Sequence, residues 1–121
     1  MEQITEFMKK EHEKMFTILD KIECKKDINL ILELKKIIEN HIFIEEKFIF
    51  KTSGNEINKL IPEHKQILWL LKIKDFKRLK ELLTKHTNLE INEFYPKLDL
   101  KLNEREKCLI INNIKNCNIY F

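Results

Sequence analysis

The residues of this chain best equipped to do chemistry are its four histidines, His12, His41, His64 and His86. Each falls on the apolar stripe of a different helical segment. The first stripe is Met8, His12, Met15, Phe16, Leu19 and Ile22; the second is Ile31, Leu34, Ile37, Ile38, His41, Glu45 and Phe48. The third is Ile61, His64, Ile67, Leu68 and Leu71; the fourth is Leu79, Leu82, Leu83, His86, Glu90 and one of Glu93 or Phe94. A core stripe covers roughly a third of a helix surface, so four histidines placed at random would all face inward about once in a hundred times. One inward histidine reads as a core residue satisfied by a neighbour. Four together need partners that an aliphatic core does not offer.

Two of the four carry a glutamate one helical turn on and on the same face, as His41-x-x-x-Glu45 and His86-x-x-x-Glu90. An inward glutamate is expelled from a core unless it coordinates a cation. In the alternative reading, Glu45 and Glu90 sit at the stripe edge and meet lysines; Phe48 and Phe94, which continue the inward side, argue against it. A mixed imidazole and carboxylate set suits iron, manganese or zinc better than calcium or magnesium. Two carboxylates can bridge two metals roughly 3.5–4 Å apart while each metal takes two histidines. Open positions then remain for oxygen, peroxide, hydroxide or water.

The elements that must position these groups are helices. One Gly and two Pro in 121 residues leave little to break long helices. The first helix runs from Ile4 to about Cys24, and Asp27 is placed to cap the second. Thr52-Ser53-Gly54-Asn55 breaks the chain, and Pro62 is expected in the first turn of the third helix, with 55–60 either an irregular lead-in or an extra turn. Asp75 can cap the fourth helix, which Pro96 is expected to end. A short fifth helix over 103–116 would turn Leu109, Ile110 and Ile114 inward, to cap the bundle or to form a dimer contact. The fold class is therefore all-α: an up-down-up-down four-helix bundle over about 2–98, within a single domain spanning 1–121, with a short C-terminal helix or tail over about 103–121. Measured from the hairpin turns, His12 and His41 lie at matching heights, as do His64 and His86, to within about 2 Å at ~1.5 Å rise per residue. A faint repeat runs through the chain: Glu11-His12 then His41-x-x-x-Glu45, and Glu63-His64 then His86-x-x-x-Glu90.

Composition narrows the function classes. The net charge of +3 is a small difference between 23 basic and 20 acidic residues that are interspersed throughout. Arg78 and Arg105 are the only arginines, so no basic stripe or base-reading arginine cluster is available, and nucleic acid is not an expected partner. No apolar run approaches the ~18 residues of a membrane span, and the start is charged rather than signal-like, which makes the cytoplasm the expected location. Cys24, Cys108 and Cys117 are odd in number and widely spaced, as reduced thiols would be. No Gly-rich phosphate loop, dinucleotide fingerprint or nucleophile set is present.

Four segments, EHEKMF (Glu11–Phe16), HIFIEEKFIF (His41–Phe50), IPEHKQI (Ile61–Ile67) and HTNLEINEFYP (His86–Pro96), resemble the hemerythrin family, specifically its bacterial HHE cation-binding domains. The resemblance covers about residues 5–98. It implies two iron ions, oxo- or hydroxo-bridged, held by His12, His41, His64, His86 and Glu45, with Glu90 completing the set; zinc and manganese are the alternative metals. Oxygen-carrying members place a histidine where this chain has Leu68 and an aspartate where it has Ile91, so Glu90 stands in for the latter. The implied function is binding of O2, or of another small diatomic or peroxide ligand, for storage or sensing, by a monomer or weak dimer. The alternative is a di-iron enzyme that reduces peroxide, O2 or nitric oxide in oxidative or nitrosative defence or iron-centre repair. A plain bundle with adventitious zinc, or no metal, is the structural alternative.

Overall fold

The computed structural model describes residues 3–50 and 57–118, with side chains through residue 116. The expected break at 52–55 and the side chain of Cys117 lie outside those limits. Every described element is helical: α1 (Ile4–Cys24), α2 (Ile28–Ile44), α3 (Ile57–Lys72), α4 (Phe76–Leu89), α5 (Tyr95–Lys101) and α6 (Glu104–Asn118). Two π-helical turns extend this set, Glu45–Ile49 directly after α2 and Glu90–Phe94 between α4 and α5. Helix α1 packs on α2 and α3 on α4, while α1 also meets α4 and α2 meets α3.

Local chemistry explains the boundaries. Asp27 caps α2 by accepting the Asn29 N–H at 2.7 Å, and Asp75 caps α4 by accepting from Arg78 N–H at 3.2 Å. Between α3 and α4 the backbone closes with Asp75 N–H to Leu70 O and Lys74 N–H to Leu71 O, which requires Lys74 at φ 60°. Pro62 does not start α3: the helix is already formed from Ile57, so the lead-in at 57–60 is a full extra turn and Pro62 lies inside it, on the exposed side. Pro96 does not end the fourth segment either. It sits at the start of α5, just past the π turn, where the ladder changes register and a missing N–H removes least.

The core forms two apolar clusters. One gathers Ile4, Phe7, Met8, Ile44, Ile49, Leu60, Phe94, Tyr95 and Leu98 with Ile111 and Ile114 of α6; the other gathers Met15, Leu19, Ile22, Leu34, Ile38, Ile67, Phe76, Leu79 and Leu83. Each histidine falls between them on its own helix: His12 between Met8 and Met15, His41 between Ile38 and Ile44, His64 between Leu60 and Ile67, His86 between Leu83 and Phe94. The polar layer is thus closed on both sides by hydrocarbon.

Three expected core positions turn out differently. Ile61 and Leu68 are exposed, because the buried line of α3 runs Leu60, Glu63, His64, Ile67 and Leu71, one position round. In α6 the inward residues are Ile111 and Ile114, and Leu109 is 62% exposed. Helix α6 packs on α1, α2 and the first π turn of its own chain, which is the bundle-capping outcome.

The start of α1 is capped from a distance. Its own N-cap residue, Gln3, makes no side-chain cap; instead Asp99 of α5 accepts from Ile4 N–H at 2.8 Å, Thr5 N–H at 3.1 Å and Thr5 Oγ1–H at 2.5 Å. Lys107, buried on α6, donates to Gln3 Oε1 at 2.6 Å and lies 4.0 Å from Asp99. An Asp99→Ala variant therefore leaves two helix N–H groups unpaired and loses about 1–2 kcal/mol, read as a lower urea midpoint at unchanged m-value.

Candidate metal centre

The polar layer contains all six residues singled out above: His12, His41, Glu45, His64, His86 and Glu90 are each 8% exposed or less. They form two overlapping groups, His12–His41–Glu45–Glu90 and Glu45–His64–His86–Glu90, in each of which one ligand atom per residue lies within 4.8 Å of the others. Both groups share both carboxylates. Glu90 Oε1 is 3.4 Å from His12 Nε2 and 3.3 Å from His86 Nε2. Glu45 Oε1 is in direct contact with His41 Nε2 and 3.9 Å from His64 Nε2. The two histidines of each group belong to one helical pair, α1–α2 or α3–α4, whereas the carboxylates come one from each. The imidazoles are themselves in contact, with ring centroids 4.5 Å apart for His12–His41 and 4.9 Å for His64–His86.

The two π turns begin at the two carboxylates. Phe50 N–H bonds to Glu45 O, and Tyr95 N–H to Glu90 O, each five residues back. A π turn carries one extra residue, and such turns concentrate at functional sites. Here the inserted residue moves the inward line on by one position: Phe48 is only partly buried while Ile49 and Phe50 are buried, and Glu93 is exposed while Phe94 and Tyr95 are buried. Tyr95 consequently reaches the site. Its hydroxyl donates to Glu90 Oε2 at 3.0 Å and lies 3.4 Å from His12 Nε2.

The outer ring nitrogens of three histidines are held by residues adjacent in sequence to a member of the polar layer on another helical segment. Glu46, beside Glu45, holds His64 Nδ1 at 2.8 Å; Glu63, beside His64, holds His86 Nδ1 at 2.9 Å; Thr87, beside His86, holds His12 Nδ1 at 2.8 Å. With its proton on Nδ1, each of these imidazoles turns the Nε2 lone pair inward.

The protonation states suit a cation. Burial would raise the Glu45 carboxyl, but the surrounding imidazoles, His41 first, outweigh it and bring it down to about 2. Burial, with His41 adding repulsion, pushes His12 well below its ordinary range, and burial lowers His86 as well. Burial followed by the Glu45 charge raises Tyr95 well above 10, so the phenol keeps its proton. At neutral pH the layer therefore holds anionic Glu45 and neutral imidazoles at His12 and His86, which is the protonation a metal requires.

Among the described residues, the buried atoms His41 Nε2, His64 Nε2, His86 Nε2, both Glu45 oxygens and Glu90 Oε1 complete no hydrogen bond. Each such atom costs about 1–3 kcal/mol. The contact between His41 Nε2 and Glu45 Oε1 offsets part of that cost, and the remaining inward atoms form clusters that could hold a metal ion. Ligand atoms on opposite sides of an ion at about 2.1 Å stand about 4.2 Å apart, close to the spread seen here. Each of the two groups could hold a metal ion.

Space adjoins the site on two sides. A void of about 10 Å³ lies against all four histidines, walled by Met15, Ile38, Ile42, Ile67 and Leu83. A surface groove of about 200 Å³ between α1 and α2 has His41 in its lining, together with Glu11, Lys14, Lys36 and Asn40. No described helix is long and apolar enough to cross a membrane. Cys24 and Cys108 are free thiols.

The sequence pattern placed the six central residues and left Tyr95, Thr87 and the π turns unseen. From the sequence, Glu46 and Glu63 read as solvated acids or acids behind the inner set, with extra metal ligands as the alternative; the structure puts both on outer ring nitrogens of neighbouring histidines. No protein-family model matches this chain, and no curated protein or solved structure matches it.

Proposed function

We propose that the chain is a hemerythrin-like di-iron protein: α1 to α4 form an up-down-up-down bundle whose His12, His41, Glu45, His64, His86 and Glu90 hold two iron ions and bind O2. The observation that carries this reading is the pair of four-residue groups that share both carboxylates. Two adjacent ions would be held by His12 and His41 on one side and His64 and His86 on the other, with Glu45 and Glu90 available to both. Iron, when bound, supplies reversible electron transfer and open coordination positions.

The chain's own residues do the rest. The hydrocarbon on both sides of the layer excludes bulk water, and a void with room for about one water-sized molecule lies between the four imidazoles and Met15, Ile38, Ile42, Ile67 and Leu83. Thr87, Glu46 and Glu63 fix three ring orientations, and Tyr95 holds a proton 3.0 Å from Glu90 Oε2. That proton supports a second reading, in which peroxide, O2 or nitric oxide is reduced with turnover, because a reduced oxygen species needs a donor inside the dry site.

The test begins with protein purified without chelators, reconstituted anaerobically with iron(II) and then exposed to O2. The expected result is about two irons per chain and a visible spectrum that appears with O2 and reverses under vacuum. Irreversible oxidation at the first exposure, with multiple turnovers when an electron donor is supplied, would select the second reading. A chain that takes up no iron, or that holds only zinc, would sink both.

A further inference from the structure

The two four-residue groups share their carboxylates but differ in what stands behind their histidines. Behind the His64–His86 group stand two more carboxylates, each hydrogen-bonded directly to a ring: Glu46 on His64 Nδ1 at 2.8 Å and Glu63 on His86 Nδ1 at 2.9 Å. Behind the His12–His41 group stands a neutral hydroxyl, Thr87, on His12 Nδ1. The groove beside His41 carries Lys14 and Lys36, and its one acid, Glu11, is ion-paired with Lys14 at 3.1 Å.

Resting on the di-metal reading above, we infer that the two positions are unequal: the first metal ion enters the His64–His86 position, and Glu63 is the residue that sets this order. A carboxylate on the outer nitrogen makes an imidazole a stronger donor, and it adds negative charge near the cation. Glu46 is 45% exposed and its charge is screened by water, whereas Glu63 is 9% exposed and acts through low-dielectric surroundings. Thr87 orients its ring without contributing charge. The groove lysines on the other side, Lys14 and Lys36, are exposed and screened as Glu46 is, so the difference between the two positions rests on buried Glu63.

Two ions sharing carboxylates repel one another, so stepwise binding alone would not distinguish the positions; the test must report where the first ion goes. Metal-free full-length protein is titrated with zinc(II) below one equivalent while the imidazole NMR signals of all four histidines are followed. His64 and His86 are expected to respond in the first half-equivalent and His12 and His41 only later. Glu63→Gln, which keeps an acceptor for His86 Nδ1 but removes the charge, is expected to weaken the first step about 10–100-fold and to bring the four responses together. Thr87→Val is expected to weaken only the second step, and circular dichroism of each variant checks that the helices remain. First response at His12 and His41, simultaneous response of all four in the wild type, or an unchanged first step in Glu63→Gln would overturn the inference while leaving the metal site standing. No response at any histidine would remove the di-metal reading itself.

Discussion

On the di-metal reading, a Glu45→Ala variant is expected to lose both ions, whereas His12→Ala is expected to keep about one. Glu45 belongs to both four-residue groups, so its removal takes an anionic donor from each position at once; His12 belongs to one. The loss is compounded electrostatically, because Glu45 is fully buried and its charge is felt by both ions without solvent screening. Metal analysis after desalting is the readout: near two ions per chain in the wild type, well below one for Glu45→Ala. Equal metal content in the two variants would mean that Glu45 serves a single position. In the metal-free protein the same residue is stabilising: Glu45 Oε1 contacts His41 Nε2, and the surrounding imidazoles hold its carboxyl down to about 2, so removing Glu45 alone strands its partner. A thermal melt in chelator is expected to fall for Glu45→Leu, and added iron(II), which is expected to raise the wild-type melt, to leave the variant unmoved.

The second large effect is with pH, again in the metal-free chain. His12 and His86 are lowered in the folded state, chiefly by burial, so below their ordinary value of 6.5 the unfolded chain binds protons that the folded chain does not. Stability is therefore full above pH 6.5 and falls as the pH drops below it. Each histidine contributes a limiting slope of about 1.4 kcal/mol per pH unit, so the pair gives up to about 2.7. Glu45, lowered from 4.5 to about 2, adds a second loss at lower pH: its contribution is present above 4.5 and disappears as the pH falls towards 2. Urea unfolding in chelator at pH 7.5, 6.5 and 5.5 should show midpoints that hardly change over the first interval and drop over the second. A flat profile from 7.5 to 5.5 would mean that the two imidazoles charge freely inside the fold.

Much of this was legible in the sequence because helical periodicity is a strong local signal. His12 and His41 had to share a layer once their stripes and the hairpin between them were set, and Asp27 and Asp75 are caps whose partners lie two or three residues away. What escaped was set by tertiary contacts. The buried line of α3 is one position round from the expected one because Leu60 and Glu63 face the neighbouring helices, leaving Ile61 and Leu68 outside. The π turns have no residue signature of their own; they follow from the need to place Glu45 and Glu90 inward and still bury Phe50 and Tyr95 a turn later. Pro62 and Pro96 misled for the same reason: a proline marks a helix end only when nothing else holds the turn around it.

The cap that Asp99 places on α1 has a consequence for how the chain is made. The acceptor for Ile4 N–H lies 95 residues away in sequence, and closing a loop of that length adds only about 0.6 kcal/mol per doubling of its size. Its effect on timing is greater than its effect on energy. Translation runs from α1 towards α6, and the hairpins α1–α2 and α3–α4 contain only local contacts that form as they emerge. The stretch Glu90–Asp99 then delivers, in ten consecutive residues, the second carboxylate shared by both groups, the buried phenol and the cap of the first helix. A nascent chain that ends before this stretch has four histidines but neither a complete donor set nor a finished first turn. Closure of the first turn of α1 and completion of the buried His/Glu set thus arrive together, with this one stretch.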